Sequence, residues 1–132
     1  MTRLLLDTTF LIDAERSGTG VDRAIGDDDD VAIAAVTIAE LRVGTLLASR
    51  ARKPARHAYI EEVIAAVPVL AYDAGVAEIH AELLAEVRKQ GRPRGAHDLI
   101  IAATAKTFGR TIVSADRTAF EGLSGIEVRA TG

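Results

Sequence analysis

"RLLLDTTFLID", Arg3 to Asp13, is the stretch on which the fold turns. Three leucines in succession leave no polar face for water, so the run reads as a strand buried on both sides. Asp7 closes it, an acid flush against apolar residues and also placed to cap a helix beginning at Thr8. A carboxylate at the end of a doubly covered strand raises two questions: what covers the strand, and which other acids reach the same end.

Similar short runs recur along the chain: "VAIAAV" (Val31 to Val36), "VPVLAY" (Val67 to Tyr72), "TIVSA" (Thr111 to Ala115) and "IEVR" (Ile126 to Arg129). Helical patterns lie between them. Val76, Ile79, His80, Leu83, Leu84 and Val87 form an amphipathic stripe with Asp73 as N-cap. Ile38, Leu41, Thr45 and Ala48 form a weaker one, Arg56 to Ala66 a third helix, and Leu99 to Ala105 a helix apolar all round. Strands alternating with helices imply parallel pairing through right-handed crossovers. The expectation is a three-layer α/β/α domain with a central parallel sheet of four to five strands, one domain over residues 1–132. "RKQGRPRGAH" (Arg88 to His97) is the clearest loop.

Composition narrows the function. The chain has no Cys, which excludes disulfides, thiolate ligands and a cysteine nucleophile. With no Trp, two Tyr and three Phe, platforms for base stacking are scarce. A net charge of −3 does not suggest bulk electrostatic capture of nucleic acid. No apolar run reaches membrane-spanning length, and the N-terminus is charged too early for a signal peptide, so a cytoplasmic location is expected.

In open α/β sheets, ligands sit beyond the carboxyl ends of the strands. Four acids from separate segments are expected there: Asp7, Glu40 in "VTIAELRVG", Asp98 in "AHDLIIAATA" and Asp116 in "IVSADRTAF". Gathered carboxylates repel and raise one another's pKa unless a cation joins them. Hard divalent cations such as Mg²⁺ take oxygen ligands, with waters and substrate phosphates completing the set. The pattern points to metal-dependent phosphodiester hydrolysis. The run Asp27 to Asp30 precedes its strand, at the opposite edge, and reads as a solvated, mutually repelling turn.

At these residues the chain resembles the PIN-domain ribonucleases, most closely the VapC-type toxins of prokaryotic type II toxin–antitoxin systems. The resemblance rests on "LLDTTFLID", "TIAELRVG" and "HDLIIAATA" followed by "IVSADRTAF", and runs from Leu4 to about Val128. It implies a PIN-like fold and an endoribonuclease using Mg²⁺ or Mn²⁺ held by Asp7 and Asp98, with Glu40 and Asp116 ligating directly or through water. It makes Thr9 a supporting hydroxyl behind the ligands. It also implies an RNA substrate, a VapB-type antitoxin and a homodimer. Many relatives carry Asn where Asp116 stands and Asp three residues later; here that later position is Ala119.

Each residue has a plainer reading. "TIAE" (Thr37 to Glu40) fits a capping box, Asp98 suits a helix N-terminus, and Asp116 suits a turn. His80 reads as a core histidine, His57 as a surface residue and His97 as a loop-to-helix junction. Of two basic clusters, Arg50, Arg52, Lys53 and Arg56, then Arg88, Lys89, Arg92 and Arg94, the second leads into Asp98. Arg92 and Arg94 are therefore the expected phosphate contacts. Two rivals have the right length and order. A receiver-type phosphotransfer domain lacks its paired acids after Asp7 and its late Lys, and a dehalogenase-like phosphatase finds Thr9 where it needs Asp. A PIN-like module that binds RNA or protein with a degraded site is the non-enzymatic alternative.

Overall fold

The structure is a computed structural model that describes residues 1–18 and 25–131. Five parallel strands form one sheet: β1 (Arg3–Leu6), β2 (Asp30–Ala34), β3 (Val69–Leu70), β4 (Thr111–Ser114) and β5 (Val128–Ala130), in the order β3-β2-β1-β4-β5. The helices are α1 (Thr8–Ser17), α2 (Ala35–Leu46), α3 (Lys53–Ala66), α4 (Ala74–Gln90) and α5 (Ala96–Phe108).

The leucine triplet explains the layering. Successive strand residues point to opposite faces. Leu4 and Leu6 join Ile33 and Val113 under Phe10 and Leu11 of α1, Leu41 of α2, and Ile60 and Val63 of α3. Leu5 joins Ala32, Ala34 and Ile112 under Val76 and Leu83 of α4 and Leu99, Ile101 and Ala102 of α5. A strand with helices on both faces has no use for a polar residue until it ends, which is where Asp7 appears. The chain steps from β1 outward through β2 to β3, then returns to the other side of β1 for β4. The reversal opens a crevice between β1 and β4 at their carboxyl ends.

Several strand bounds differ from the sequence-based expectation, each for a local reason. β2 stops at Ala34 because its partner β3 stops at Leu70, leaving Ala35 and Val36 no ladder, and they open α2 instead. β3 is two residues long because Pro68 has no N–H to contribute, although its carbonyl accepts from Ile33 N at 2.9 Å. β5 begins at Val128, opposite Ile112, rather than at Ile126. Asp73 caps α4 as expected, its side chain accepting from Val76 N at 3.0 Å. Among the described residues, no helix is long and apolar enough to cross a membrane.

The aspartate run lies at the amino edge of the sheet, as expected, but three of its members have partners, Asp28 standing 3.9 Å from the N-terminal amine of Met1. Asp29 accepts from Thr2 N (3.2 Å) and Gly26 N (2.8 Å) and stands 3.7 Å from Arg129. Asp30 pairs with the buried Arg110 at 2.9 Å. These bonds tie the start of β2 to the starts of β1 and β4. The repelling-turn reading therefore does not extend to Asp28, Asp29 or Asp30, each of which faces a cation.

Candidate acidic site at the β1/β4 crevice

Asp7 is the fixed point of the crevice. It is 1% exposed and N-caps α1, with Oδ1 accepting from Thr8 N at 2.8 Å. Its Oδ2 accepts from the hydroxyls of Thr9 (2.6 Å) and Ser114 (2.7 Å). A buried carboxylate is tolerable only with such donors. Capping and site-building are thus one role: the cap points the carboxylate into the crevice and the two hydroxyls lock its rotation.

The neighbouring hydroxyls extend this frame. Ser114 Oγ also accepts from Asp116 N at 3.0 Å, and Thr9 Oγ1 accepts from Ala115 N at 3.2 Å. The first turn of α1 is thereby stitched to the chain leaving β4. Thr8 Oγ1 donates to Glu40 Oε1 at 2.6 Å, with Thr37 Oγ1 3.3 Å away. Glu40 is thus held against α1 rather than capping its own helix. The capping box is ruled out, because α2 begins at Ala35 and Thr37 already lies inside it, fully buried.

Asp98 stands in the first turn of α5, its carboxylate folded back over Gly95. A Cβ at residue 95 would meet Asp98 Oδ2 at 2.9 Å, so any larger residue there would displace the carboxylate from this position. Partial burial, then the charges of Asp7, Glu40 and Asp116, push the Asp98 carboxyl up to about 6, against a smaller opposing pull from His97. The four acids expected from the sequence therefore share one electrostatic field. Asp116 differs in character. It is exposed, and its Oδ1 accepts from Thr118 N (2.9 Å), Thr118 Oγ1 (3.0 Å) and Ala119 N (3.2 Å). These donors, Thr118 N foremost, hold its carboxyl below the usual range. The turn reading of Asp116 is correct as far as Oδ1 goes.

Two further side chains belong to the site. Ser114 drew no attention in the sequence, since a Ser closing "TIVS" looks ordinary; its only signal is that it ends the strand beside β1. His97, read as a junction residue, places Nδ1 3.3 Å from Glu40 Oε2. It lines an open cavity of about 320 Å³ together with Glu40, Gly95, Ala96 and Asp98. His80 is half-buried and hydrogen-bonds the Tyr72 hydroxyl at 2.9 Å, away from this crevice.

Arg94 corrects the expectation most clearly. Its Nη1 donates to the carbonyls of Thr118 (3.0 Å) and Ala119 (3.2 Å), and its Nη2 to that of Glu121. A guanidinium engaged by three backbone carbonyls is not presented to a phosphate. Arg92 is exposed on the same loop and remains open to solvent.

The donor set offers only oxygen and one imidazole, which suits a hard divalent cation. Among the described residues, no three His, Cys, Asp or Glu side chains are gathered tightly enough to hold an ion by themselves. The convergence is a shared field around Asp7 and Asp98 rather than a closed cage. That arrangement fits Mg²⁺ or Mn²⁺, which bind through one or two carboxylates and keep several waters.

Comparison with known proteins agrees with this architecture. The PIN domain family model matches residues 4–124. The chain is 32% identical over 129 residues to the tRNA(fMet)-specific endonuclease VapC of Shigella flexneri, covering 96% of each protein. It is 33% identical over 126 residues to ribonuclease VapC5 of Mycobacterium tuberculosis, covering 94% of this chain and 92% of that one. The solved structure of VapBC-5, a member of the VapBC family of toxin–antitoxin systems from Mycobacterium tuberculosis, superposes with a TM-score of 0.81. The superposition has 30% identity and covers 99% of this chain and 100% of that one.

Proposed function

The chain belongs to the PIN-domain family, and from that premise we propose that it is a metal-dependent endoribonuclease, the toxin of a toxin–antitoxin pair. The observation that carries the reading is the buried Asp7 carboxylate, held by Thr8 N, Thr9 and Ser114 at the crevice where Glu40, Asp98 and Asp116 also arrive. The cap of α1 would be served as well by an uncharged Asn, so the buried negative charge among other acids is what supports a cation there.

Asp7 and Asp98 would hold Mg²⁺ or Mn²⁺, with Glu40 and Asp116 contributing directly or through water. A bound cation of this kind acidifies water and neutralises charge developing at phosphorus. The protein's own part is orientation. Thr9 and Ser114 fix the Asp7 carboxylate, Thr8 fixes Glu40, and Gly95 lets Asp98 lean back over its own helix start. No side chain serves as a covalent nucleophile. His97, anchored through Nδ1, faces the cavity an RNA strand would enter and would contact the nucleotide there. Arg92 would supply a phosphate contact that positions the strand without reading sequence.

By the same reading the protein acts on cellular RNA in the cytoplasm, works as a homodimer, and is silenced by a VapB-type antitoxin. The relatives named above support this reading, two being nucleases by name and one structure belonging to a family of toxin–antitoxin systems. Mn²⁺ binding by calorimetry to the wild type and to Asp7→Asn tests the metal centre, since Asn keeps the cap of α1. Binding is expected to weaken at least about tenfold in the variant, in line with the loss of a ligand or its support. Equal binding by the two proteins would turn the assignment toward a degraded RNA- or protein-binding module.

A further inference from the structure

We propose that Arg94 is a positioning residue that latches the loop carrying Asp116 to the loop carrying Asp98; the inference rests on the nuclease reading for its consequence, not for its geometry. Asp98 belongs to the segment that runs from Arg94 through Gly95 into α5, and Asp116 to the turn that leaves β4. The two carboxylates are near enough for one charge to bear on the other. No helix or strand hydrogen bond joins these segments, since residues 116–127 form only turns before β5.

The guanidinium of Arg94 fills that gap. Three carbonyls of the Asp116 loop, those of Thr118, Ala119 and Glu121, converge on Nη1 and Nη2. The same loop turns its N–H groups of Thr118 and Ala119 inward to Asp116 Oδ1. The loop is thus a single layer of peptide groups, with a carboxylate gathering N–H on one side and a guanidinium gathering C=O on the other. Gly122, at φ +79°, lets the chain wrap the cation; a Cβ there would sit 3.6 Å from Nη2. Arg94 Nε is enclosed with no hydrogen-bond partner among the described residues. A planar fork meeting several acceptors at once is a geometry that Lys does not reproduce.

Ala119 acquires a meaning from this arrangement. Its N–H serves Asp116 and its carbonyl serves Arg94, so one peptide unit binds both groups. On the nuclease reading Asp116 is the fourth carboxylate, and the latch keeps it where its charge bears on Asp98.

The test compares Arg94→Ala and Arg94→Lys with wild type in three readouts. In RNA cleavage with Mn²⁺, both variants are expected to lose about 10–100-fold in kcat with KM unchanged, as small misplacements of reacting groups do. The salt dependence of RNA binding is expected to be the same for all three proteins. In brief trypsin digestion without metal, cleavage after the exposed Arg117 is expected to accelerate in both variants relative to cleavage elsewhere. The proposal is overturned if Lys restores kcat. It is equally overturned if KM rises while the salt slope falls by about 1, the mark of a lost phosphate contact, or if Arg117 stays equally protected in all three. If wild type cuts no RNA, the nuclease reading fails by itself. Arg117 protection then still decides whether Arg94 holds the loop.

Discussion

Asp98→Asn should make the metal-free protein more stable while removing its activity. The Asp98 carboxyl is moved from 3.8 to about 6 by partial burial and by the charges of Asp7, Glu40 and Asp116. A full unit is worth about 1.4 kcal/mol, so the unscreened penalty on the ionised form at neutral pH is about 3 kcal/mol. The side chain is only half-buried, and solvent screening reduces such terms severalfold. Asn also forgoes the roughly 0.3–1 kcal/mol a carboxylate gains near a helix N-terminus. The net gain for the variant is about 0.5 kcal/mol, or about 1–3 °C in Tm for a domain of this size.

The pH dependence follows from the direction of the shift. The folded state binds this proton more tightly than the unfolded chain, so wild type loses stability as pH rises from about 4 through about 6. The advantage of Asp98→Asn is therefore complete above pH 6 and shrinks towards pH 4. Thermal unfolding followed by circular dichroism, in EDTA at pH 7.5 and again at pH 4.5, reads both. Mn²⁺ should then raise the Tm of wild type and leave the variant where it was. A variant no more stable than wild type at pH 7.5, or a gap that fails to narrow in acid, would refute the electrostatic reasoning.

Other substitutions separate the parts of the site. Glu40→Gln keeps an acceptor for the Thr8 hydroxyl, so its fold should match wild type by circular dichroism while kcat on RNA falls at least about 100-fold. Ser114→Ala removes one of the two hydroxyls on Asp7 Oδ2; titration calorimetry should show Mn²⁺ affinity reduced about tenfold, with about 1 kcal/mol lost from stability in urea. The double variant Asp28→Asn with Asp29→Asn should leave cleavage within about twofold of wild type, since both residues lie at the other edge of the sheet. Its Tm should nonetheless fall, because Asp29 loses its ion pair with Arg129. Unchanged Tm there would mean that the hydrogen bonds to Thr2 and Gly26 survive the loss of charge.

Much of this was legible in the sequence, and the reason is the leucine triplet. A strand buried on both faces forces helices on both sides and leaves its first acid at the carboxyl end, so Asp7 and the α/β/α layering followed from one local pattern. Glu40, Asp98 and Asp116 were found by the same rule applied to later strands and helices. What was not legible was which groups hold those acids. Ser114 and Thr8 meet Asp7 and Glu40 across 107 and 32 residues, and no local pattern records such pairings. The capping box failed because α2 starts two residues before Thr37, directly off β2, where the sheet rather than a cap residue ends the strand. Arg94 was misread because a basic loop beside an acidic site suggests a substrate contact, whereas the carbonyls that engage it lie 24 to 27 residues on.

The most direct measurement incubates purified protein with total RNA and Mg²⁺, beside an EDTA control and the Asp98→Asn variant. The account requires discrete fragments from wild type, none with EDTA, and none from a variant whose circular dichroism matches wild type. Attack by water at phosphorus with loss of the 3′ oxygen would leave 5′-phosphate ends. Undiminished cutting by folded Asp98→Asn, or by wild type in EDTA, would contradict it.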